Sequence, residues 1–248
     1  PEMADQLTQL QYRAYGFAPE IARQIVAETL GRPIEQVFDV FEDHPFAAAS
    51  ISQEHRAHLR REGAWVVVKV QRPGIGPIFE RDLRVIGWLA RWGAKAPGMA
   101  YAGFDKLFRE LQNIMREEID YRYETSNLRR MRKSLRRHRV YVPKVFVEYA
   151  GPRVIVMELI EGPLMSDYLR VERTDPARLT PWCRQNNVKP SKVGSRLMRS
   201  FFRQMFEDNL FHSDLHPGNI ILLRNSRFAL IDLGTIGQLD ANFADLYK

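Results

Sequence analysis

Cysteine and long apolar runs are both nearly absent from this chain of 248 residues. The one cysteine, Cys183, cannot form an intramolecular disulfide, which indicates a reducing, cytoplasmic compartment and argues against a structural zinc site. No stretch approaches the roughly 18 apolar residues that a membrane-spanning helix needs. A basic and then apolar leader is also missing after Pro1, so no signal peptide is predicted. Because the first residue is not methionine, we interpret the sequence as a segment of a longer protein.

The charge of the chain is strongly positive, with a net charge of +7 and a pI near 9.6. Such a charge favours a phosphate-rich ligand, an anionic membrane surface or nucleic acid, and it cannot choose between them. No basic motif interleaved with aromatic residues is present, so a nucleic-acid partner is not expected. The length allows one large core or two lobes.

Hydrophobic periodicity divides the chain into a strand-rich half and a helical half. Trp65 to Val70 is a short β-branched run between Gly63 and Pro73, which is typical of a strand. In this first half we predict helices over residues 1–42, 78–92 and 104–137, strand character over 49–59, 65–70, 145–147 and 154–157, and a loop over 96–98.

The second half follows a linker at Glu161-Gly162-Pro163 and is mostly helical over residues 164–210, with a polar loop at 181–190. The apolar stripe of its last helix, from Leu197 to Phe206, is interpreted as a core face. A hairpin is predicted from 220–223 and 228–231. We therefore expect an α+β, bilobal fold with a strand-rich N-lobe over residues 1–160, carrying a helical insertion, and a mostly helical, truncated C-lobe over residues 161–248.

The strongest chemical signal is the loop from His212 to Asn219 followed by Asp232-Leu233-Gly234. Its order and loop spacing match the kinase pattern H-R-D-x-x-x-x-N and D-F-G. Asp214 is then the catalytic base or the acceptor-orienting residue, and Asn219 and Asp232 are the Mg²⁺ ligands, because Mg²⁺ prefers hard oxygen donors. A polar turn built by Asp214 and Asn219 is the alternative.

A second signal is Lys69, a charged residue inside an apolar strand, where it must be paired or reach solvent. The kinase pattern V-A-I-K places such a catalytic lysine on the ATP phosphates. Val67 stands where that pattern has alanine. Asp120, Glu124 and Asn127 follow helical spacing and form a candidate ion-pairing face for the lysine.

A short alanine-rich segment, Ala47-Ala48-Ala49-Ser50, precedes this strand. Kinases usually carry a glycine-rich loop here, whose backbone N–H groups cover the phosphates. Alanine keeps the small size and loses the conformational freedom of glycine.

Together these motifs resemble the UbiB/ADCK family of atypical kinases from about Ile21 to the end. The alanine-rich loop, the run from Val68 to Ile75, the ExD element at Glu118-Ile119-Asp120 and the two C-terminal motifs carry the resemblance. It implies binding of ATP or ADP with Mg²⁺, with nucleotide contacts from Ala47, Ala48, Ala49, Ser50, Lys69, Glu118, Asp120, Glu124, Glu158 and Ile160.

The resemblance also implies an ion pair between Lys69 and Glu124, and a hinge from Glu158 to Ile160 that holds adenine through backbone groups. It implies a role in quinone biosynthesis, with quinone-precursor lipids or quinone biosynthesis proteins as partners. The sequence departs from the family in lacking an upstream KxGQ helix, in stopping soon after Asp232, and in placing Glu54 where the family has an apolar residue.

Two other functions stay open at this point. Aminoglycoside and choline kinases share the His-x-Asp-x-His-x-x-Asn loop, so that loop alone does not separate them from the UbiB type. A non-catalytic pseudokinase scaffold that only binds nucleotide is the third hypothesis. The run Gln71-Arg72-Pro73-Gly74 and the ExD element favour the UbiB type.

The basic segment from Arg129 to Arg139 is a candidate contact with the anionic inner membrane. It carries seven arginine or lysine residues, and Leu128, Met131 and Leu135 form an apolar seam beside them. Anionic lipids attract such segments by about 1 kcal/mol per basic residue. A solvated helix end packed through that seam is the alternative.

Overall fold

The computed structural model describes residues 16–93 and 104–239, which form two compact units. The first unit comprises the chain up to Tyr123 together with Phe146–Val156. The second unit comprises Glu124–Val145 together with the chain from Met157 onward. This division differs from the lobe boundary predicted at residue 160, because residues 124–145 belong to the second unit. The predictions for residues 1–15, for the loop at 96–98 and for the chain after 239 lie outside the described residues.

The first unit is a β-sheet with a helix against it, and two further helices follow β4 in the chain. Strand order is β1-β3-β4-β5, with β2 paired to β3. The elements are α1 (Pro19–Leu30), a 3-10 turn (Ile34–Gln36), β1 (Phe38–Phe41), β2 (Ala47–Ala48), β3 (Ser52–Leu59), β4 (Ala64–Gln71), α2 (Ile75–Gly93), α3 (Phe104–Ile119), a 3-10 turn (Val147–Tyr149) and β5 (Val154–Glu158).

Strand β4 packs the sheet against α1, because one of its faces is wholly apolar. Val66, Val68 and Val70 are fully buried and pack in one cluster with Ile25 and Val26 of α1. Burying each such side chain contributes roughly 1.5–3 kcal/mol. The β-branched run that predicted this strand is therefore also what holds the sheet to the helix.

The first strand begins earlier than expected. Residues 38–41 were predicted to be helical and instead form β1, which pairs antiparallel with β3. Gly31 adopts a left-handed conformation that ends α1, and a single 3-10 turn follows Pro33. Phe38 and Phe41 are buried in the sheet core, edge to face at 5.8 Å between ring centroids. Pairing with β3 therefore decides the conformation of this segment.

The long helix predicted over residues 104–137 is interrupted at Asp120. Helix α3 ends at Ile119, and α4 (Tyr121–Leu135) begins two residues later. The Asp120 carboxylate accepts the backbone N–H of Arg122 at 3.1 Å, which caps α4. The N–H of Tyr121 donates to Pro152 O at 3.0 Å, so it leaves the helical ladder of α3.

The second unit joins α4 to the C-terminal helices and two hairpin-like strand pairs. After α4 its elements are a 3-10 turn (Arg136–His138), α5 (Met165–Thr174), 3-10 turns at Pro176–Arg178, Pro217–Asn219 and Arg224–Ser226, α6 (Leu179–Asn186), α7 (Pro190–Phe206), β6 (Phe211–His212), β7 (Ile220–Leu223), β8 (Arg227–Leu230) and β9 (Ile236–Gly237). The predicted hairpin is confirmed, with Ile220 opposite Leu230 and Leu223 opposite Arg227.

Two local predictions for this part of the chain are wrong. Residues 145–147 make a single bridge, between Val145 and Met157, and then a 3-10 turn in place of a strand. The polar loop expected at 181–190 is mostly helix, since α6 runs to Asn186 and Asn187 ends it in a left-handed conformation.

The linker before the second unit's helices needs glycine at one position. A Cβ on Gly162, whose φ is +155°, would lie 2.5 Å from the carbonyl oxygen of Leu222. The N–H of Leu222 donates to Pro163 O at 2.9 Å, and Leu164 bridges to Ile221. The linker therefore runs against β7 and helps to fix the hairpin.

The apolar stripe of α7 is not the core face that was expected. Met198, Phe202 and Phe206 are 52%, 51% and 42% exposed. The buried positions of this helix include the polar Ser200 and Gln204, whose side chains hydrogen bond at 3.2 Å. Gln204 is turned inward because its Oε1 accepts the backbone N–H of His212 at 3.2 Å. None of the described helices is long and apolar enough to cross a membrane.

A buried histidine in β3, His55, hydrogen bonds to the segment that follows β1. Its Nδ1 lies 2.8 Å from Glu42 O, and because a carbonyl only accepts, Nδ1 carries the proton. Its Nε2 lies 2.9 Å from the amide nitrogen of Gln53, whose Oε1 accepts the N–H of Phe17. Nε2 is therefore the acceptor, and burial lowers the pKa of His55.

This network predicts that acid destabilises the protein through His55. The folded pKa lies below the unfolded value of about 6.5, so the unfolded state binds more protons once the pH falls below that value. Stability should then decrease by up to about 1.4 kcal/mol per pH unit for one proton. We expect His55→Gln to reduce this slope in denaturant unfolding, measured from neutral pH downward.

The matched control is His44→Gln, which removes an exposed imidazole nearby and should keep the slope of the wild type. Identical slopes for His55→Gln and the wild type would contradict the assignment.

Candidate active site

The predicted catalytic loop is anchored in the second unit by a pair of short strands. β6 and β9 pair antiparallel, with His212 opposite Ile236 and Phe211 opposite Gly237. The N–H of Ser213 donates to Thr235 O at 3.3 Å, which extends this pairing by one residue. The start of the loop and the segment that follows Asp232 are thus held side by side by backbone groups.

Asn219 closes the other end of the loop. Its side-chain amide donates to Asp214 O at 3.3 Å, and its backbone N–H donates to His216 O at 3.0 Å. Its carbonyl accepts the N–H of Ile231 at 3.1 Å, one residue before Asp232. The sequence prediction that Asn219 and Asp232 belong to one constellation is consistent with this connection.

Asp214 presents its carboxylate to solvent, with its side chain 73% exposed. The Nε2 of His216 lies 3.9 Å from this carboxylate, and the Nδ1 of His216 accepts the N–H of Gly218 at 3.1 Å. An exposed carboxylate on a loop with a fixed backbone can reach an incoming hydroxyl group. This exposure is compatible with the predicted acceptor-orienting role of Asp214, which stays a prediction.

Asp232 is held in a tight turn at the end of the hairpin. Its Oδ1 accepts the N–H of Gly234 at 3.0 Å, and Leu233 between them is fully buried. The carbonyl of Gly234 accepts the side-chain amide of Asn127 in α4 at 3.1 Å. The donor set suits Mg²⁺, since Asp232 offers carboxylate oxygens and Asn219 offers its amide oxygen.

His212, at the start of the loop, is only 2% exposed. Its Nδ1 accepts the N–H of Asp214 at 3.3 Å. Burial lowers the pKa of His212, although the carboxylates of Asp232 and Asp214 act in the opposite direction. The imidazole is therefore kept neutral, and it orients the backbone of Asp214.

In the first unit, Val67 and Lys69 lie on the face of β4 opposite the valine cluster, because side chains alternate along a strand. Lys69 is 7% exposed, and its Nζ lies 5.5 Å from the ring centroid of Tyr121. The β3–β4 register sets Glu54 directly opposite Lys69. Glu54, which the sequence marked only as a departure from the family, is therefore a cross-strand neighbour of the candidate lysine.

Gln71 and Arg72, which follow Lys69 at the end of β4, have positioning roles that sequence reasoning did not assign. Gln71 donates from Nε2 to Ile119 O at 2.5 Å, within the ExD element. Arg72 donates to Ser50 O at 2.8 Å and to Ala49 O at 3.2 Å. The run Gln71-Arg72-Pro73-Gly74 was recognised as a family signature, and that run was the available signal for these roles.

The alanine-rich loop forms a tight connection between β2 and β3. Ala47 and Ala48 pair with Glu54 and Gln53, and the N–H of Ala49 donates to Ser52 O at 2.8 Å. With Arg72 on its carbonyls, the loop backbone is held without glycine.

The ExD element lies at the junction of α3 and α4. Glu118 is exposed in the last turn of α3. Asp120 lies between the helices, so the predicted helical face shared with Glu124 and Asn127 does not include it. Hydrogen bonds from the Arg122 side chain, the shortest at 2.6 Å, lower the pKa of Asp120.

The predicted hinge begins at the end of β5. The backbone N–H of Glu158 donates to Lys144 O at 2.8 Å, and its carboxylate accepts Tyr141 Oη at 2.6 Å and Lys144 N at 3.0 Å. Its N–H is therefore used in pairing, and the proposed adenine contacts rest on its carbonyl and on Ile160. Glu124 is buried in α4, and its ion pair with Lys69 stays a prediction.

Comparisons with curated proteins identify close relatives along nearly the whole chain. Proteins named "Probable protein kinase UbiB" from Cronobacter sakazakii and Aeromonas salmonicida are each 34% identical, over 247 and 246 residues. Each alignment covers 97% of this chain and 43% of the relative. The chain therefore spans less than half the length of these relatives.

Among solved structures, the complex of Rv3197 with erythromycin from Mycobacterium tuberculosis is similar, with a TM-score of 0.71 and 26% sequence identity. The similarity covers 96% of this chain and 57% of that protein, and it supports the α+β, kinase-like fold. The family model described as "ABC1 atypical kinase-like domain" matches residues 9–248. The chain belongs to the family of ABC1 atypical kinase-like domains.

Proposed function

We propose that this chain is the Mg²⁺–ATP-binding part of a UbiB-type kinase or ATPase that supports ubiquinone biosynthesis. The loop from His212 to Asn219 carries the proposal, because the amide of Asn219 fixes the backbone of an exposed Asp214 while Asn219 O binds the residue before Asp232. The chain spans 43% of its curated relatives. The activity and substrates of the whole protein therefore belong to this proposal.

Each candidate side chain has a separate role in phosphoryl transfer. Asp214 would orient the acceptor hydroxyl or water, and neutral His212 would hold its backbone in place. Lys69 would contact the nucleotide phosphates, and Asp232 and Asn219 would hold Mg²⁺ through oxygen atoms. Bound Mg²⁺ would neutralise charge on the transferred phosphoryl group.

The family assignment favours the UbiB type over aminoglycoside and choline kinases. The contacts of Gln71 and Arg72 give the family-specific run a structural purpose, since they hold the ExD junction and the alanine-rich loop. The link to ubiquinone rests on the UbiB name of the relatives and on the motif resemblance. A nucleotide-binding scaffold without turnover is the second candidate, and the loop variants described next separate it from an enzyme.

We expect two aspartate variants to separate binding from chemistry. Asp232→Asn removes a full negative charge next to the cation, so Mg²⁺-dependent ATP binding should weaken about tenfold for each ~1.4 kcal/mol lost. Asp214→Asn should leave that affinity near the wild type and lower turnover, because Asp214 acts mainly in the transition state. Calorimetry with Mg²⁺–ATP and phosphate release, both on the full-length protein, measure the two effects.

Both substitutions preserve side-chain size, and asparagine at 232 can still accept the N–H of Gly234. Wild-type affinity in Asp232→Asn would overturn the metal assignment. A full-length wild type without turnover, in the presence of anionic lipid and quinone precursors, would leave the scaffold as the function.

A third variant tests Lys69. Lys69→Met keeps the length of a nearly buried side chain and removes its charge, so we expect ATP affinity to fall by about tenfold or more. Arg61→Met is the matched control, since it removes one exposed positive charge from the β3–β4 turn of the same unit. If both variants bind ATP equally, Lys69 has no specific role.

A further inference from the structure

A basic cavity of about 730 Å³ lies within the second unit, between α4 and the extended segment that follows it. Pockets of this size are typical of sites for small ligands. Five of its nine lining residues are cationic, and none is acidic. The five cations are Arg129, Arg132, Lys133, Arg136 and Lys144.

Helical spacing explains why these cations converge. Arg129, Arg132 and Lys133 recur at intervals of three and four in α4, so they occupy one face of the helix, and Arg136 continues it in the next turn. The adjacent seam of Leu128, Met131 and Leu135 is fully buried. The seam is therefore part of the protein core, as in the alternative of a helix end packed through it, and an electrostatic contact of the basic face with an anionic membrane stays a prediction.

Arg132 forms a preorganised wall of the cavity. Its guanidinium donates to Val142 O, lies 3.7 Å from the Glu158 carboxylate and stacks 5.5 Å from the ring centroid of Tyr141. Tyr141 in turn donates to Glu158 at 2.6 Å. The Glu158 carboxylate therefore lies beside Arg132, while every charged residue that lines the cavity is cationic.

Like charges that line one cavity repel one another, and a multivalent anion relieves that repulsion. Guanidinium groups bind phosphate oxygens in a bidentate manner, and lysine adds a compact charge. The concave shape suits a discrete ligand better than a flat membrane surface. We propose that this cavity binds a soluble ligand carrying two or more phosphate groups, a site that is independent of the nucleotide function proposed above.

The test is calorimetry with inorganic diphosphate in magnesium-free buffer, using the full-length protein. We expect saturable binding that Lys133→Gln/Arg136→Gln weakens by about tenfold or more. The matched control is Arg130→Gln/Arg139→Gln, which removes the same charge from exposed residues of the same segment that do not line the cavity. It should bind diphosphate as the wild type does.

Four results decide the proposal. Preferential loss in the cavity variant supports it. Equal loss in both variants would mean a non-specific charge effect and would overturn it, as would binding to phosphatidylglycerol vesicles without binding of diphosphate. If the double variant has a lowered melting temperature, Lys144→Gln against Arg130→Gln replaces the comparison, and equal affinities in that pair overturn the proposal.

Discussion

Asn219 is the residue on which the loop from His212 to Asn219 depends. It uses its side-chain amide, its N–H and its carbonyl at once, and these bonds connect the backbone of Asp214 to the strand that precedes Asp232. A loop closed this way is ordered by folding itself, before any ligand binds. The exposed carboxylate of Asp214 can therefore be both accessible and precise in position.

The first unit uses a different device, which is the alternation of side chains along one strand. In β4 the valines at 66, 68 and 70 hold the sheet to α1, and Lys69 projects from the other face. At the end of the strand, Gln71 and Arg72 bind carbonyl groups of Ile119 and of the alanine-rich loop. A few consecutive residues thus combine core packing, the candidate phosphate contact and the support of two neighbouring segments.

Local sequence patterns predicted the elements whose conformation is decided locally. The hairpin from Ile220 and the β-branched run of β4 are examples, since their strands carry the propensity and their turns carry the breakers. Phe38 to Phe41 failed because pairing with β3 overrides local preference. The α7 stripe failed because the inward face of that helix serves His212 through a polar side chain, which hydrophobicity alone cannot indicate. Hydrogen bonds to carbonyl groups, such as those of Arg72, leave no periodic signal.

The path of the chain between the two units has a consequence for folding. The polypeptide leaves the first unit after Tyr123, returns at Phe146 and leaves again after Val156. No single cut can therefore release either unit as one continuous piece, and neither can be completed during synthesis until the later segments have emerged from the ribosome. The hydrogen bond from Asn127 to Gly234 spans 107 residues, so this contact of α4 can form only after the last strands have been synthesised. We therefore expect the two units to assemble together, and contacts of such high sequence separation favour slower folding than separately encoded domains would show.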